Sequence, residues 1–428
     1  MTPREFLRRF HPARSSRPAG LGASADTLTV EAGDVVGVVL MNHGGPGCRA
    51  DVEPFLYNRL MDPAEGTWGI PGLVRHVASR VLARRRARPL ADAYEQIGGV
   101  SPLARHTAEQ ARALERVLGQ RFGAATGARF RTYVAMRHWH PSSEEAAAQM
   151  AADGVTKVVL LPLHPHASAT TAGSSVAYWD ALSAAGELPE WPTTVVPEYA
   201  AHPTYIQALA ERVDEGLQRF PLASRSGVQV VFCAQGAHAG RSREQDPYCC
   251  LVHATVQQVV DARAARDPRR SAHVAFLKPL VPGRALGPTL NQTLDALADD
   301  GHAHVLVVPV SFVSDRVETA YDLDVVVRAR AAKQGVTHFE VTTGLNSHPL
   351  FIETLAACVG AQIQPALGGD GGTALPGGAP LAAIRPPRRH HDGALRTVRC
   401  AACTHAAEPC DWQVTGPDVP ETATRHAA

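Results

Sequence analysis

From residue 35 to about residue 363 the chain repeats one pattern, a short β-branched apolar run followed by a stretch of helical periodicity. The apolar runs are Val35–Met41, Arg129–Met136, Thr156–Leu163, Thr193–Pro197, Val228–Cys233, His273–Leu277, His304–Val310 and Phe339–Thr343. Most lack the alternation of a half-exposed strand and read as strands buried on both faces. Pro102–Leu118, Ser143–Ala152, Pro203–Phe220 and Pro288–Asp299 read as helices between them, and Pro349–Val359 as a last one. Pro102, Pro203 and Pro288 stand where a first helical turn tolerates proline. Strand–helix alternation at this spacing predicts parallel sheets with helices on both faces. The expected fold is α/β: two doubly wound, Rossmann-like, four-stranded parallel-sheet domains, over 34–200 and 201–365.

The ends differ from this body. Residues 1–33 read as a disordered leader; its first twenty are rich in Arg and Ser with one acid, Glu5, a faint likeness to a transit peptide. Residues 366–398, rich in Gly, Pro and Arg, read as a linker, and 399–428 as a cysteine-containing tail. Forty-two basic side chains balance 41 acidic ones, which gives no electrostatic reason to expect nucleic acid as a partner. No apolar run reaches the roughly 18–20 residues of a transmembrane helix. The 8 cysteines form no disulfide framework, so a reducing, cytoplasmic setting is expected.

The segments that follow the strands carry the chemistry. In the first half they are Met41-Asn42-His43-Gly44-Gly45-Pro46, Pro54-Phe55-Leu56-Tyr57, Asp62-Pro63, Tyr94, Ile97-Gly98-Gly99-Val100-Ser101-Pro102-Leu103, Met136-Arg137-His138-Trp139-His140-Pro141, Leu161-Pro162-Leu163-His164-Pro165 and Thr171-Ala172-Gly173-Ser174-Ser175. In the second half they are Asp246-Pro247-Tyr248 and Ser311-Phe312-Val313-Ser314-Asp315-Arg316-Val317-Glu318-Thr319. Each follows an expected strand, and the carboxyl edge of a parallel sheet is where α/β proteins bind ligands. Gly44, Gly45, Gly98, Gly99 and Gly173 are expected to let backbone approach a ligand closely.

In type and order these segments resemble those of the ferrochelatase family, over about residues 35–363. The resemblance implies a chelatase-type fold with porphyrin or haem held between two domains, and insertion of Fe(II) in haem biosynthesis. It implies substrate contacts from Asn42, Gly44, Gly45, Pro46, Ser101, Arg137, His138, His164, His166, Ser174 and His238. Metal insertion must remove two pyrrole protons, and the family uses a histidine after the fifth strand, assisted by a glutamate with further acids behind it. Here the matching segment is Phe232-Cys233-Ala234-Gln235-Gly236-Ala237-His238, which puts Gln235 at the histidine's place. A carboxamide neither accepts a proton at neutral pH nor ligates metal well.

The assisting glutamate is kept as Glu318, but Arg316 stands where the family usually has a second histidine. A guanidinium so close should hold Glu318 ionised. Glu318 and Asp322 share a helix face at i, i+4, while the next position is Val326, so the acidic series is short. The first half has gained histidines instead. By the resemblance, His43 occupies a position that in the family faces the ring from the side opposite that of Gln235, and His138, His164 and His166 follow strands of the same expected sheet, so the four could converge. Neutral imidazole is the commonest transition-metal ligand, which makes His43 the candidate metal or haem-iron ligand. The expected catalytic set is His43, Gln235, Arg316, Glu318 and Asp322.

Cys400-x2-Cys403-x6-Cys410 in the tail is the remaining signal. Many family members bind a [2Fe–2S] cluster through three cysteines of a C-terminal extension and one elsewhere. The fourth position used in animal members is Ala169 here, which leaves Cys48, Cys249, Cys250, Cys358 or His405 as the substitute. Zinc on a Cys3His set is the competing reading, and an inert tail the third. Expected partners are porphyrin or haem, with a homodimer allowed. Two functional classes follow: a ferrochelatase of altered site chemistry, or a non-catalytic haem or porphyrin binder, with recruitment of the cleft for another metal-dependent reaction as a third.

Overall fold

The computed structural model describes residues 27–62, 64, 72–236, 246–268, 270–278 and 286–365. The elements run β1 (Leu28–Val30), β2 (Val35–Asn42), α1 (Val52–Met61), α2 (Gly72–Gln96), α3 (Pro102–Leu118), β3 (Arg129–Met136), α4 (Ser143–Ala152), β4 (Lys157–Pro162), α5 (Ala172–Ala184), β5 (Thr193–Val195) and α6 (Pro203–Gln218). They continue β6 (Gln229–Ala234), α7 (Tyr248–Arg263), β7 (Ala272–Phe276), α8 (Leu290–Asp299), β8 (His304–Pro309), a π-helix (Glu318–Val327) running into α9 (Arg328–Lys333), β9 (His338–Val341), α10 (Pro349–Gly360) and β10 (Ile363–Pro365).

Two four-stranded sheets result, ordered β3-β2-β4-β5 and β7-β6-β8-β9, and every pairing within them is parallel. The α/β expectation of two four-stranded parallel sheets is met. All eight residues of β2 are buried, as are all six of β6, which is why their sequences are apolar without alternation. Both halves place their first strand between their second and third. In that order a crevice opens at the carboxyl ends, between β2 and β4 in one sheet and between β6 and β8 in the other. One contiguous core joins Val38 and Leu40 of β2 to Val230 and Phe232 of β6, by way of Leu114 of α3, Leu209 of α6 and Leu355 of α10.

Two details depart from the sequence reading. Leu28–Val30, assigned to the leader, pairs in parallel with Ile363–Pro365; two three-residue strands are too short to leave a periodic signal. The helix expected from Pro288 begins at Leu290, because Thr289 is its N-cap and forms a reciprocal capping box with Gln292.

The glycines after β2 serve the chain itself. Gly44 has φ +85°, in the left-handed region that side chains avoid. A Cβ on Gly45 would lie 2.3 Å from Ser101 Oγ and 2.5 Å from Ser101 Cβ, so Gly45 makes room for Ser101. The Pro46 carbonyl accepts a hydrogen bond from Ser101 N (3.0 Å), which fixes the two loops together. Gly45→Ala should therefore destabilise the protein by about 1–3 kcal/mol, the usual range for overpacking, and Ser101→Gly in the same chain should recover most of the loss, as read from urea denaturation of the two single variants and the double variant.

Candidate active site

The site is assembled from the loops at the carboxyl ends of both sheets. His43 follows β2 directly, and Gln235 follows β6 directly. Since β2 and β6 hold the same place in their sheets, the two residues occupy equivalent positions in the two halves.

Around His43 the backbone is tied down on both sides. Asn42 Oδ1 accepts from His43 N (2.9 Å), and Asn42 Nδ2 donates to Thr107 Oγ1 (3.1 Å). The loop after β3 then zips onto it: Arg137 N donates to the Asn42 carbonyl (2.8 Å) and His138 N to the His43 carbonyl (3.0 Å). These bonds bring three imidazoles together. The His43 and His138 rings stack at 5.6 Å between centroids, and His164, beyond β4, meets His43 edge-on at 4.8 Å. All three are buried. Burial, reinforced by His164, Arg316, His138 and Arg59, holds His43 well below the usual histidine range, so its ring is neutral.

His166 does not join them. Thr255 donates its hydroxyl proton to the Ala200 carbonyl (2.8 Å), so at 3.0 Å from the ring it accepts from His166 Nε2. The ring also packs edge-on against Tyr205 and Tyr248. Burial, with His164 nearby, pushes His166 down to about 3. The expected convergence of four histidines is thus corrected to three, because β4 is followed by a bend that turns His166 into the core of the second half. Among the described residues no group of three or more His, Cys, Asp or Glu side chains is placed to hold a metal ion.

Beneath His138 lies a closed polar network. Arg137 Nη2 is 3.1 Å from Asp62 Oδ2, Ser174 Oγ donates to the same oxygen (2.6 Å), and Arg137 Nε donates to Ser174 Oγ (2.8 Å). Arg137 also stacks over Tyr178 at 4.6 Å. Asp62 is almost wholly buried, and with one carboxylate serving Arg137 and Ser174 the network is a positioning device.

The second half contributes the charged wall. Arg316 donates to both oxygens of Glu318, from Nε to Oε2 at 2.7 Å and from Nη2 to Oε1, and Arg59 Nη1 of α1 stands 3.8 Å from Oε1. Burial alone would push Glu318 up, but the Arg316 pair and Arg59 outweigh it and hold the carboxyl at about 2. One turn on, burial and repulsion from Glu318 push Asp322 up to about 7, against the pull of Arg316. The acidic pair lies about one turn apart on a π-helix. Gln235 is fixed through its backbone, with N donating to Ser311 Oγ (2.7 Å) and its carbonyl accepting from Tyr248 Oη (3.1 Å).

Arg59 is the site residue that sequence reasoning did not single out, while Asp62 and Tyr94 stood in the segments read there without a role of their own. Tyr94 shares a hydrogen bond with Ser101 and faces Glu318, Arg316 and Arg59. Arg59 did leave a signal, a cation set among Phe55, Leu56, Leu60 and Met61 on the buried face of α1. His238 and the tail cysteines Cys400, Cys403 and Cys410 lie outside the described residues. Of the suggested fourth ligands, Cys48 is exposed, while Cys249, Cys250 and Cys358 are buried.

The family model for ferrochelatase matches residues 35–363. A ferrochelatase from Geotalea daltonii is 38% identical over 323 residues, which covers 75% of this chain and 96% of the relative. One from Synechococcus sp. is 35% identical over 344 residues, covering 80% and 86%. Among solved structures, SirB from Bacillus subtilis with Fe3+ aligns at a TM-score of 0.43 and 11% identity, over 77% of this chain and 95% of that one. A match over most of the chain, at this identity to relatives spanned almost end to end, settles its ancestry: the chain belongs to the ferrochelatase family.

Proposed function

We propose that the chain binds a tetrapyrrole at the carboxyl ends of its two sheets and inserts Fe(II) into it, with His43 supplying the lone pair that Gln235 cannot. The observation that carries this is the equivalence of the two positions: each follows the first strand of its half, and only His43 bears a group able to ligate iron. Its buried setting favours one of the two roles a histidine has there. A ring held well below the usual range is a poor resting place for a proton and is available as a neutral donor to a metal, so His43 is read as the group that would ligate the iron. His138 and His164 hold that ring in place and, as nearby imidazoles, oppose its protonation.

Overall the reaction exchanges two pyrrole protons for one Fe(II), so a proton acceptor is needed besides a metal ligand. Gln235 offers none. A specific observation supports a second reading, a non-catalytic haem or porphyrin binder: Glu318, the assisting carboxylate in the resemblance, is fully engaged by arginine. The two readings share the ligand and differ in turnover. No described helix is long and apolar enough to cross a membrane.

Spectral titration with haem separates the histidines. His43→Ala should abolish the Soret shift of bound haem, His164→Ala and His166→Ala should weaken it much less, and His43→Met should keep part of it because a thioether also ligates iron. Equal spectra for His43→Ala and wild type would exclude His43 as the ligand.

Gln235→His restores a base at the position that lost it, and general bases contribute typically ~10²–10⁴-fold. Fe(II) insertion into protoporphyrin or coproporphyrin, followed by loss of the free-base fluorescence, should accelerate by about a hundredfold or more. An unchanged rate would mean that the proton acceptor sits elsewhere in the cleft.

The tail is read as a [2Fe–2S] site through Cys400, Cys403 and Cys410. Anaerobically purified chain should then be brown and lose its visible absorption on Cys403→Ser. Colourless protein carrying about one zinc per chain would replace this reading with the Cys3His alternative.

A further inference from the structure

Resting on the metallation reading above, we propose that α3 is the strut that sets the spacing of the two cleft walls, with Thr107 positioning His43 and Gln110 positioning the Arg316–Glu318 wall.

Thr107 and Gln110 stand at i, i+3 on one face of α3, and both are wholly buried. Thr107 serves the first half. Its Oγ1 accepts from Asn42 Nδ2 (3.1 Å) and donates to the Leu103 carbonyl (2.8 Å), while Asn42 Oδ1 accepts from His43 N (2.9 Å). The N-cap of the same helix, Ser101, donates from its backbone N to the Pro46 carbonyl, so α3 grips the chain on both sides of His43.

Gln110 reaches across to the second half. Its Nε2 donates to Ser314 Oγ (2.8 Å) and to the Asn346 carbonyl (2.9 Å), in the loops after β8 and β9. Asn346 is the knot between those loops. Among the described residues it is the one non-glycine with positive φ, +48°, a conformation that asparagine tolerates better than most. Its Oδ1 accepts from Asp315 N (2.9 Å), its Nδ2 donates to Asp315 Oδ2 (2.7 Å) and its N to the Val313 carbonyl (2.7 Å). Arg316 is the residue after Asp315, and it holds Glu318. One carboxamide of the first half thus ties down both loops from which the charged wall rises.

Gln110 is costly to keep. Its Oε1 is buried with no hydrogen-bond partner among the described residues, and a leucine would fill similar space without an orphaned acceptor. What the glutamine adds is the pair of bonds it donates across the halves. A flat macrocycle lying between His43 and the wall needs that spacing fixed, since a displacement of about 1 Å can cost on the order of 10²-fold in rate.

Hydrogen–deuterium exchange on the full-length, ligand-free chain tests the division of labour. Q110L should speed exchange over 311–319 and 344–346 and leave 41–46 and 136–140 as in wild type. T107V should do the reverse, and T107S, which keeps the hydroxyl, should restore the wild-type map. Should Q110L fail to fold, S314A removes one of the two acceptors without touching α3 and should loosen 311–319. Loosening of the same loops by Q110L and T107V, or of neither pair, overturns the proposal. With haem bound, T107V should shift or broaden the Soret band and Q110L should leave it unchanged; the same spectrum from both variants also overturns it. In the Fe(II) insertion assay Q110L should lower kcat by up to about a hundredfold with KM unchanged, and a wild-type kcat overturns the role of Gln110. No haem binding and no turnover by wild type would overturn the metallation reading, while the exchange maps would still decide whether α3 is the strut.

Discussion

A parallel sheet whose central strands are buried on both faces has nowhere to put polar chemistry except at the ends of its strands. The whole site obeys this constraint. Asn42 is the last residue of β2 and His43 the first beyond it, and Gln235 stands in the same relation to β6. The loops at those ends are short of space, which is why Gly45 yields to Ser101 and why the backbone of Arg137 and His138 bonds to that of Asn42 and His43. The resulting rigidity is what a metal-handling site needs, since ligands must be held in place by the fold around them.

Buried charge organises the remainder. Arg137 is answered by Asp62, and Arg316 and Arg59 share Glu318. Breaking either group by removing one partner would strand a charge out of water, so the two clusters fix the geometry of the cleft wall. They also set the electrostatics of the histidines. With two guanidiniums in range and two other imidazoles beside it, His43 has no favourable protonated state, and its chemistry narrows to that of a neutral donor. Arg316 fixes one carboxylate, and that fixed negative charge helps raise the proton affinity of the next.

How much of this was legible beforehand can be judged from particular residues. Arg129–Met136, Pro102–Leu118 and Ser143–Ala152 have the same bounds in sequence and structure, since apolar runs, helical periodicity and an N1 proline are local signals, and in the structure a reciprocal capping box of Ser142 and Glu145 starts the last of them. Gln235 could be placed because the spacing to Asp246-Pro247-Tyr248 is a property of the chain. Arg59 was missed although it sits plainly on an apolar helix face, because nothing local says which acid it will meet. His166 was misplaced for the same reason: two residues after His164, it differs only in which way the backbone turns, and that is decided by Thr255 and Tyr248.

By itself, then, the amino-acid sequence determined the parallel α/β architecture, the edge of the sheets where ligand chemistry belongs, and the carboxamide at position 235. Each of these rests on periodicity, order or the identity of one side chain. Only the tertiary structure decided which histidines meet, that Arg59 completes an ion triad around Glu318, and that Glu318 and Asp322 share a π-helix. Those outcomes depend on contacts between residues distant along the chain and on burial, and burial is what moves a carboxylate from its ordinary range to about 7.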